Sequence, residues 1–356
     1  MRPVVTEQLP VKENKNGNKE VAVKKISGLT FFSVILAFVA IPVFCGIAEA
    51  QTITLKVVTA WPKNTTDNKS LFYFMESVEQ QVAKKYPGEL KLNLIGGPEA
   101  VKIQDQAHAA QTGMVDIVHT TNAYYVSEVP EVDAMKLSDF KPWEERANGA
   151  MAYFNDLHEK KGLYLLGRLG IDAPFYLYLA RPIKTADLKG FNIRVSPMYL
   201  QVVKGLGGNP VVIPPTDVYN ALERHVVDGY CFVLVSIREW GWEKQTKYIV
   251  EPGFYSGPHP LIMNLKAWNA LPKKFKDVLT EAAMESERKT VAFYEEEGKK
   301  EIPLLKKAGL QVIDLPPAEK EKFLKIAYDE GWKDVIKNNP KTGPELQKLL
   351  TKKTGK

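Results

Sequence analysis

From Gln51 onward, apolar positions fall by turns into short runs and into stripes spaced three or four residues apart. Thr52 to Ala60 (TITLKVVTA) reads as a strand ending at Trp61-Pro62, with a polar loop from Lys63 to Lys69. Leu71 to Tyr86 predicts an amphipathic helix with Phe72, Met75, Val78 and Val82 on one stripe. Lys91 to Ile95 is a second strand, Ala100 to Thr112 a helix stopped by Gly113, and Val115 to His119 a third strand. A helix over Trp143 to Lys160 precedes strands at Tyr164 to Leu169 and Phe175 to Leu179. Leu188 to Phe232 then repeats the pattern as strand, helix, strand, helix, strand. After Leu271-Pro272 the chain reads as helical, over Pro272 to Lys300, Glu301 to Lys307 and Pro317 to Lys337. This alternation predicts an α/β fold with mostly parallel sheets. No low-complexity linker divides it, so the chain is expected to cross between two domains more than once.

One position breaks the apolar pattern. Phe191 to Val195 (FNIRV) alternates so weakly that both faces of the strand are expected to be covered, yet it contains Arg194. A guanidinium does not shed its proton, so it needs an anionic partner or the strand's mouth. That partner is either a carboxylate of the protein, with Asp217 and Asp228 as candidates, or a carboxylate from outside. The residues alone leave the two readings level.

The first fifty residues read as a leader: polar and lysine-dotted to Lys25, apolar from Ile26 to Ile47, closed by Ala48-Glu49-Ala50. Cleavage after Ala50 is expected, with an uncleaved anchor as the alternative. The remaining 306 residues suffice for two domains. They keep one cysteine, Cys231, which points to a bacterial periplasm rather than a disulfide-built secreted module. The leader carries six basic and four acidic residues, so the formal charge of +6 falls to +4 without it. That excess is spread out, with no aromatic-interleaved basic patch, and no nucleic-acid partner is expected.

Catalytic motifs fail on spacing. There is no GxxxxGK, HExxH or GxSxG, and the five histidines lack metal-ligand spacing. Asp105 and His108 read as a solvated pair. Gly205-Leu206-Gly207-Gly208 follows a helix and precedes a strand, the reverse of a dinucleotide loop. Cys231 opens an apolar strand without an evident basic neighbour. Neither an enzyme nor a cofactor is expected.

Leu188-Lys189-Gly190, Ile193-Arg194-Val195, Gly208 with Pro210, Asp217-Val218-Tyr219, Ala221-Leu222 and Val227-Asp228-Gly229 together carry a resemblance. The chain is similar to the DctP-type solute-binding proteins of TRAP (tripartite ATP-independent periplasmic) transporters. The likeness extends back to Gly113 with Val115-Asp116 and forward to Trp268 with Leu271-Pro272. It departs from the family at Phe191-Asn192, Ser196 and Arg224-His225.

The resemblance implies a two-domain periplasmic-binding-protein clamshell with the chain crossing its hinge and a long C-terminal helical region. The expected domains are 51–172 with 261–300, and 173–260 with 301–356. It implies a small organic acid as ligand, the small and large subunits of a membrane permease as partners, and uptake driven by an ion gradient. Arg194 falls where the family places its carboxylate-binding arginine. Looser alignment adds Trp61 and Asn64 after the first strand, Thr121, Asn122 and Tyr124 after the third, and Trp240 and Trp242. Phe175 and Phe232 stand where relatives often carry polar groups. Each aromatic is equally well explained as core, but together they point to a monocarboxylate with an apolar or aromatic tail. Ala123-Tyr124-Tyr125 and Glu251-Pro252-Gly253-Phe254-Tyr255 resemble the branch that takes 2-oxo acids, some members with a metal ion. A sensor module of the same fold remains the alternative to a transport receptor.

Overall fold

The computed structural model describes residues 52–170 and 174–352. The leader reading of the first fifty residues lies outside them. The first sheet is built from β1 (Ile53–Thr59), β2 (Leu90–Gly96), β3 (Ile117–His119), β4 (Leu163–Arg168) and a late strand, Pro260–Asn264. The second contains β5 (Phe175–Leu179), β6 (Asn192–Val195), β7 (Asn209–Val212), β8 (Gly229–Val233), β9 (Tyr248–Phe254) and Gln311–Asp314. The two late strands are β10 and β11. The spatial orders are β2-β1-β3-β10-β4 and β11-β9-β5-β8-β6-β7. The chain therefore passes from one sheet to the other after β4, returns after β9, and crosses again before β11.

Both sheets are mixed rather than mostly parallel. β1 runs parallel to β2 and β3, and β6 to β7 and β8. β10 lies antiparallel between β3 and β4, and β5 antiparallel between β8 and β9. These antiparallel members are the strands at the crossings, where the chain enters a sheet from the opposite end. The strands β9, β10 and β11 are additions to the sequence reading. β8 and β10 are buried at every position, which is why neither shows the alternation of a half-exposed strand.

The first helices are α1 (Lys69–Lys85), α2 (Gln106–Thr112), α3 (Pro142–Asn148) and α4 (Ala150–Glu159). On α1 the buried stripe is Leu71, Phe74, Val78 and Val82. Phe72 is exposed, one position off the expected stripe; both sets fit a 3.6-residue period, and packing against the sheet selects one. Gly113 caps α2 in the left-handed conformation, as expected. Gly149, at φ 90°, splits into α3 and α4 what the sequence suggested as one helix. Short helices α5 (Leu200–Gly205), α6 (Val218–Glu223) and α7 (Leu265–Ala270) connect the later strands.

The C-terminal region is α8 (Lys273–Lys307), α9 (Pro317–Asn338) and α10 (Gly343–Leu350). α8 runs unbroken through Pro303, where a break had been expected near Lys300. A proline inside a helix removes one hydrogen bond and costs about 3 kcal/mol. The turn is held by Leu305 in the core and by Glu301, which receives both Arg238 Nε (2.7 Å) and Nη2 (2.9 Å) from the loop after β8. No helix among the described residues is long and apolar enough to cross a membrane.

Candidate ligand-binding site

The C-terminal ends of β1, β3, β6 and β8 converge with the segment leading into β10, and a narrow cavity of about 40 Å³ opens there. The ends of parallel strands are where α/β sheets commonly bind ligands. Trp61 follows β1, Thr121 and Tyr124 follow β3, and Ser196 and Tyr199 follow β6; Phe175 opens β5, Phe232 lies near the end of β8, and His259 precedes β10. A second cavity of about 250 Å³ shares Tyr124, Arg194, Ser196 and Pro215 with the first. A larger groove of about 580 Å³ between α1 and β2 has only exposed charges, Glu79 and Lys91, on its rim. We place the site at the strand ends because the buried charge is there.

Among the described residues Arg194 is the only lysine or arginine lining either of these two cavities, and it is 1% exposed. Its Nε donates to the Ile213 carbonyl at 2.8 Å and Nη1 to the Tyr199 hydroxyl at 2.9 Å. Two of its five N–H donors are thereby used, and neither meets a carboxylate. Asp228 Oδ2 instead accepts from the Asn192 backbone N–H, and its Oδ1 lies 3.8 Å from Arg181. Asp217 Oδ1 accepts from Thr216. The two protein carboxylates proposed as partners are both occupied elsewhere. The guanidinium also sits 5.9 Å from the Phe232 ring and 5.8 Å from the Trp242 ring, which stabilises the cation without consuming N–H donors.

Among the described residues, Arg194 and Asp67 are the only lining side chains of charged type. Tyr124 is held neutral, its hydroxyl pushed up to about 12 by burial against the opposing pull of Arg194. Trp61 packs at a tilt against His259, ring centroids 4.2 Å apart, and against His119 at 4.9 Å. His119 bonds Ser70 Oγ and Thr59 Oγ1, and burial lowers it well below the usual imidazole range. Burial likewise lowers His259 to about 3 and, remote from the site, His158 to about 4. An imidazole depressed in the folded state leaves the unfolded chain with more protons once the pH falls below about 6.5. Asp67 and Glu145, both raised by burial on folding, oppose this. The protein should therefore melt at a lower temperature at pH 5.0 than at pH 7.5. Equal or higher melting at pH 5.0 would contradict these three buried neutral histidines.

A family model described as "bacterial extracellular solute-binding protein, family 7" (DctP) matches residues 58–338. The chain belongs to the DctP family. A monocarboxylate 2-oxoacid-binding periplasmic protein of Nostoc sp. is 25% identical over 299 residues, covering 79% of each chain. The fold matches an extracytoplasmic solute receptor of Bordetella pertussis binding pyroglutamic acid (TM-score 0.74, 17% identity, 85% of this chain and 100% of that one). It also matches a TRAP periplasmic solute-binding protein of Desulfovibrio salexigens with bound orotic acid (TM-score 0.73, 19% identity, 84% and 97%). Family and fold are those of the non-enzymatic, periplasmic receptors of TRAP transporters.

Of the residues singled out from sequence, Trp61, Thr121, Tyr124, Phe175, Arg194 and Phe232 line one cavity in this DctP-family fold. Asn122 lies outside its lining, fully buried, accepting from Thr121 Oγ1 at 3.1 Å. Asn64 is exposed, and Trp240 is half-buried against Trp242 at 5.7 Å, outside the lining. Trp242 is core, edge-on to Phe232 at 4.8 Å. Glu251 to Phe254 belong to β9, with Phe254 packed on Phe175 and Tyr199 rather than on the cavity. Asp105 and His108 are exposed, as read. Cys231 does have a cation near it, Arg194, but burial outweighs that and pushes the thiol up, leaving it unreactive. Among the described residues no group of three acidic, histidine or cysteine side chains could hold a metal ion. Asp67, Tyr199 and His259 were missed. Asp67 sat in a stretch read as polar loop, and His259 reaches the site only because β10 inserts beside β3.

Proposed function

We propose that this chain captures a monocarboxylate with an apolar or aromatic body and delivers it to a TRAP permease with small and large membrane subunits. The observation that carries the reading is Arg194: a buried cation that, among the described residues, is alone of its sign in the cavity and meets no protein carboxylate. Leaving such a charge unpaired costs several kcal/mol, on the order of what an incoming carboxylate would recover with a bidentate pair. Trp61, Tyr124, Phe175 and Phe232 offer rings to the rest of the ligand, and Thr121 a hydroxyl. A 2-oxo acid is the second reading, supported by the Nostoc relative, which is named for binding monocarboxylate 2-oxo acids. Closure is supported by Glu239, in the loop after β8, which accepts from the backbone N–H (3.0 Å) and hydroxyl of Thr66, beyond β1. That contact ties the two sheets' connections together across the mouth.

A thermal-shift screen of the purified protein against aliphatic, aromatic and 2-oxo acids, with and without divalent cations, tests the reading. At roughly 100 times Kd a ligand adds about 2.7 kcal/mol of stability, enough for a shift of a few degrees. Monocarboxylates should give it, and dicarboxylates of matched size should not. Their second charge would find no second cation among the described residues lining the cavity. Stabilisation by dicarboxylates alone would overturn the monocarboxylate assignment.

A further inference from the structure

Asp67 lies in a short 3-10 turn, Thr66–Asn68, and lines the same cavity as Arg194. It is 2% exposed, its Oδ2 has no hydrogen-bond partner, and no ion pair is formed by it among the described residues. The turn cannot swing it out to water without losing several contacts. Thr66 is bonded to Glu239 on one side and accepts from the Tyr294 hydroxyl (2.8 Å) on the other, while Asn68 Nδ2 donates to the Pro62 carbonyl at 2.7 Å. A carboxyl with a purely structural task would have its oxygens bonded. This one keeps an unsatisfied oxygen in a cavity built around a cation.

We propose that Asp67 is the second polar contact for the ligand, entering the complex as a neutral carboxyl that donates its proton in a hydrogen bond to an oxygen of the bound acid. Capture then takes up one proton from solvent. The inference rests on the carboxylate-binding reading of Arg194 and deepens it.

Burial and one neighbouring charge favour the neutral form of Asp67. Glu239, from the loop after β8, repels a second negative charge. Tyr294 on α8 and Tyr124 beyond β3 face it as neutral hydroxyls, and His259 before β10 is a neutral imidazole. Arg194 is the one cation in the cavity, and an incoming carboxylate would occupy it. Burial and Glu239 raise Asp67 to about 7 in the empty protein, against the pull of its own backbone N–H. A ligand carboxylate in the same small cavity pushes it further up, because two carboxylates sharing a site do not both ionise. Above neutrality, binding must therefore add a proton to Asp67, and affinity falls by up to about tenfold per pH unit. Among the described lining residues, Tyr124 and Tyr199 are raised and His259 is lowered, away from that range.

The test is isothermal titration of the full protein between pH 6.0 and 8.5, in phosphate and in Tris. The probe is whichever of benzoate, phenylacetate, pyruvate, 2-oxobutyrate and pyroglutamate stabilises the protein most. These acids stay ionised throughout, so any proton taken up goes to the protein. The expected result is uptake approaching one proton at pH 8, little at pH 6, and a Kd that weakens as the pH rises. Asp67→Asn, which keeps a neutral donor, should abolish the uptake and flatten the pH profile. Wild-type binding with no proton uptake and a flat profile overturns the inference, and that measurement requires no variant. Uptake that persists in Asp67→Asn also overturns it. If no acid binds, or Arg194→Ala binds as tightly as wild type, the carboxylate reading fails and the inference with it. Arg194-dependent binding without proton uptake removes only the role of Asp67.

Discussion

Arg194→Ala should remove ligand-induced thermal stabilisation completely while leaving a folded protein. Two charge-assisted hydrogen bonds to a carboxylate, at about 1.5–3 kcal/mol each, imply an affinity loss of 10²-fold or more. The fold survives for a specific reason. The substitution orphans one carbonyl, Ile213 O, and one hydroxyl, Tyr199 Oη, but it also removes a buried cation that meets no protein anion among the described residues. The desolvation cost of that cation offsets part of the lost bonding. Arg194→Lys keeps the charge and loses the planar fork, so it should restore only a fraction of the ligand-induced shift. A thermal-shift series of wild type, Lys and Ala with one monocarboxylate decides the matter. A full-size shift in the alanine variant would mean that the guanidinium serves the fold and that the ligand is held elsewhere.

Arg194 could be found in the sequence because it contradicts its surroundings. A charge in Phe191 to Val195 conflicts with a strand buried on both faces, and β6 is indeed buried from Ile193 to Val195. Phe175 and Phe232 were suggested by the looser family alignment instead, and they lie in β5 and β8, which pair in antiparallel register. Asp67 and His259 gave no such signal. A polar residue in a polar loop is unremarkable until packing shows that Tyr294, Glu239 and Asn68 pin the loop against the cavity. His259 depends on β10 pairing between β3 and β4, a contact spanning about half the chain that no local pattern encodes. Trp240 failed in the opposite way. Its loop follows β8 directly, but the chain turns so that Trp242 goes into the core and Trp240 stacks on it. Spacing along a strand carries over to space; spacing along an irregular loop does not.

Gly229→Ala should be the most destabilising single-methyl change in the second sheet, at about 2–4 kcal/mol. Val227, Asp228 and Gly229 lead into β8 with three separate tasks. Val227 is buried in the core. The Asp228 carbonyl accepts from Ala180 N at 2.8 Å and its Oδ2 from Asn192 N at 2.8 Å, joining β8 to both neighbouring strands. Gly229 then lies opposite Leu179 of β5 and Ile193 of β6. A Cβ there would overlap the Tyr178 backbone carbonyl and meet Leu179 Cδ2 at 2.9 Å and Cα at 3.2 Å. Backbone on that side cannot rotate away as a side chain would, so β8 must separate from β5. Any such shift moves Tyr230, the register partner of Arg194, and with it the guanidinium. Ligand affinity should therefore fall along with stability. Gly190→Ala provides the contrast: its φ of +75° is strained for alanine, but no atom lies within 4 Å of the added carbon. That change should cost about 1 kcal/mol and leave binding unaltered. Urea denaturation of both variants, paired with titration of one acid, separates the two mechanisms. Equal losses for Gly229 and Gly190 would show that backbone conformation, not crowding between β5 and β8, sets the requirement for glycine beside the arginine strand.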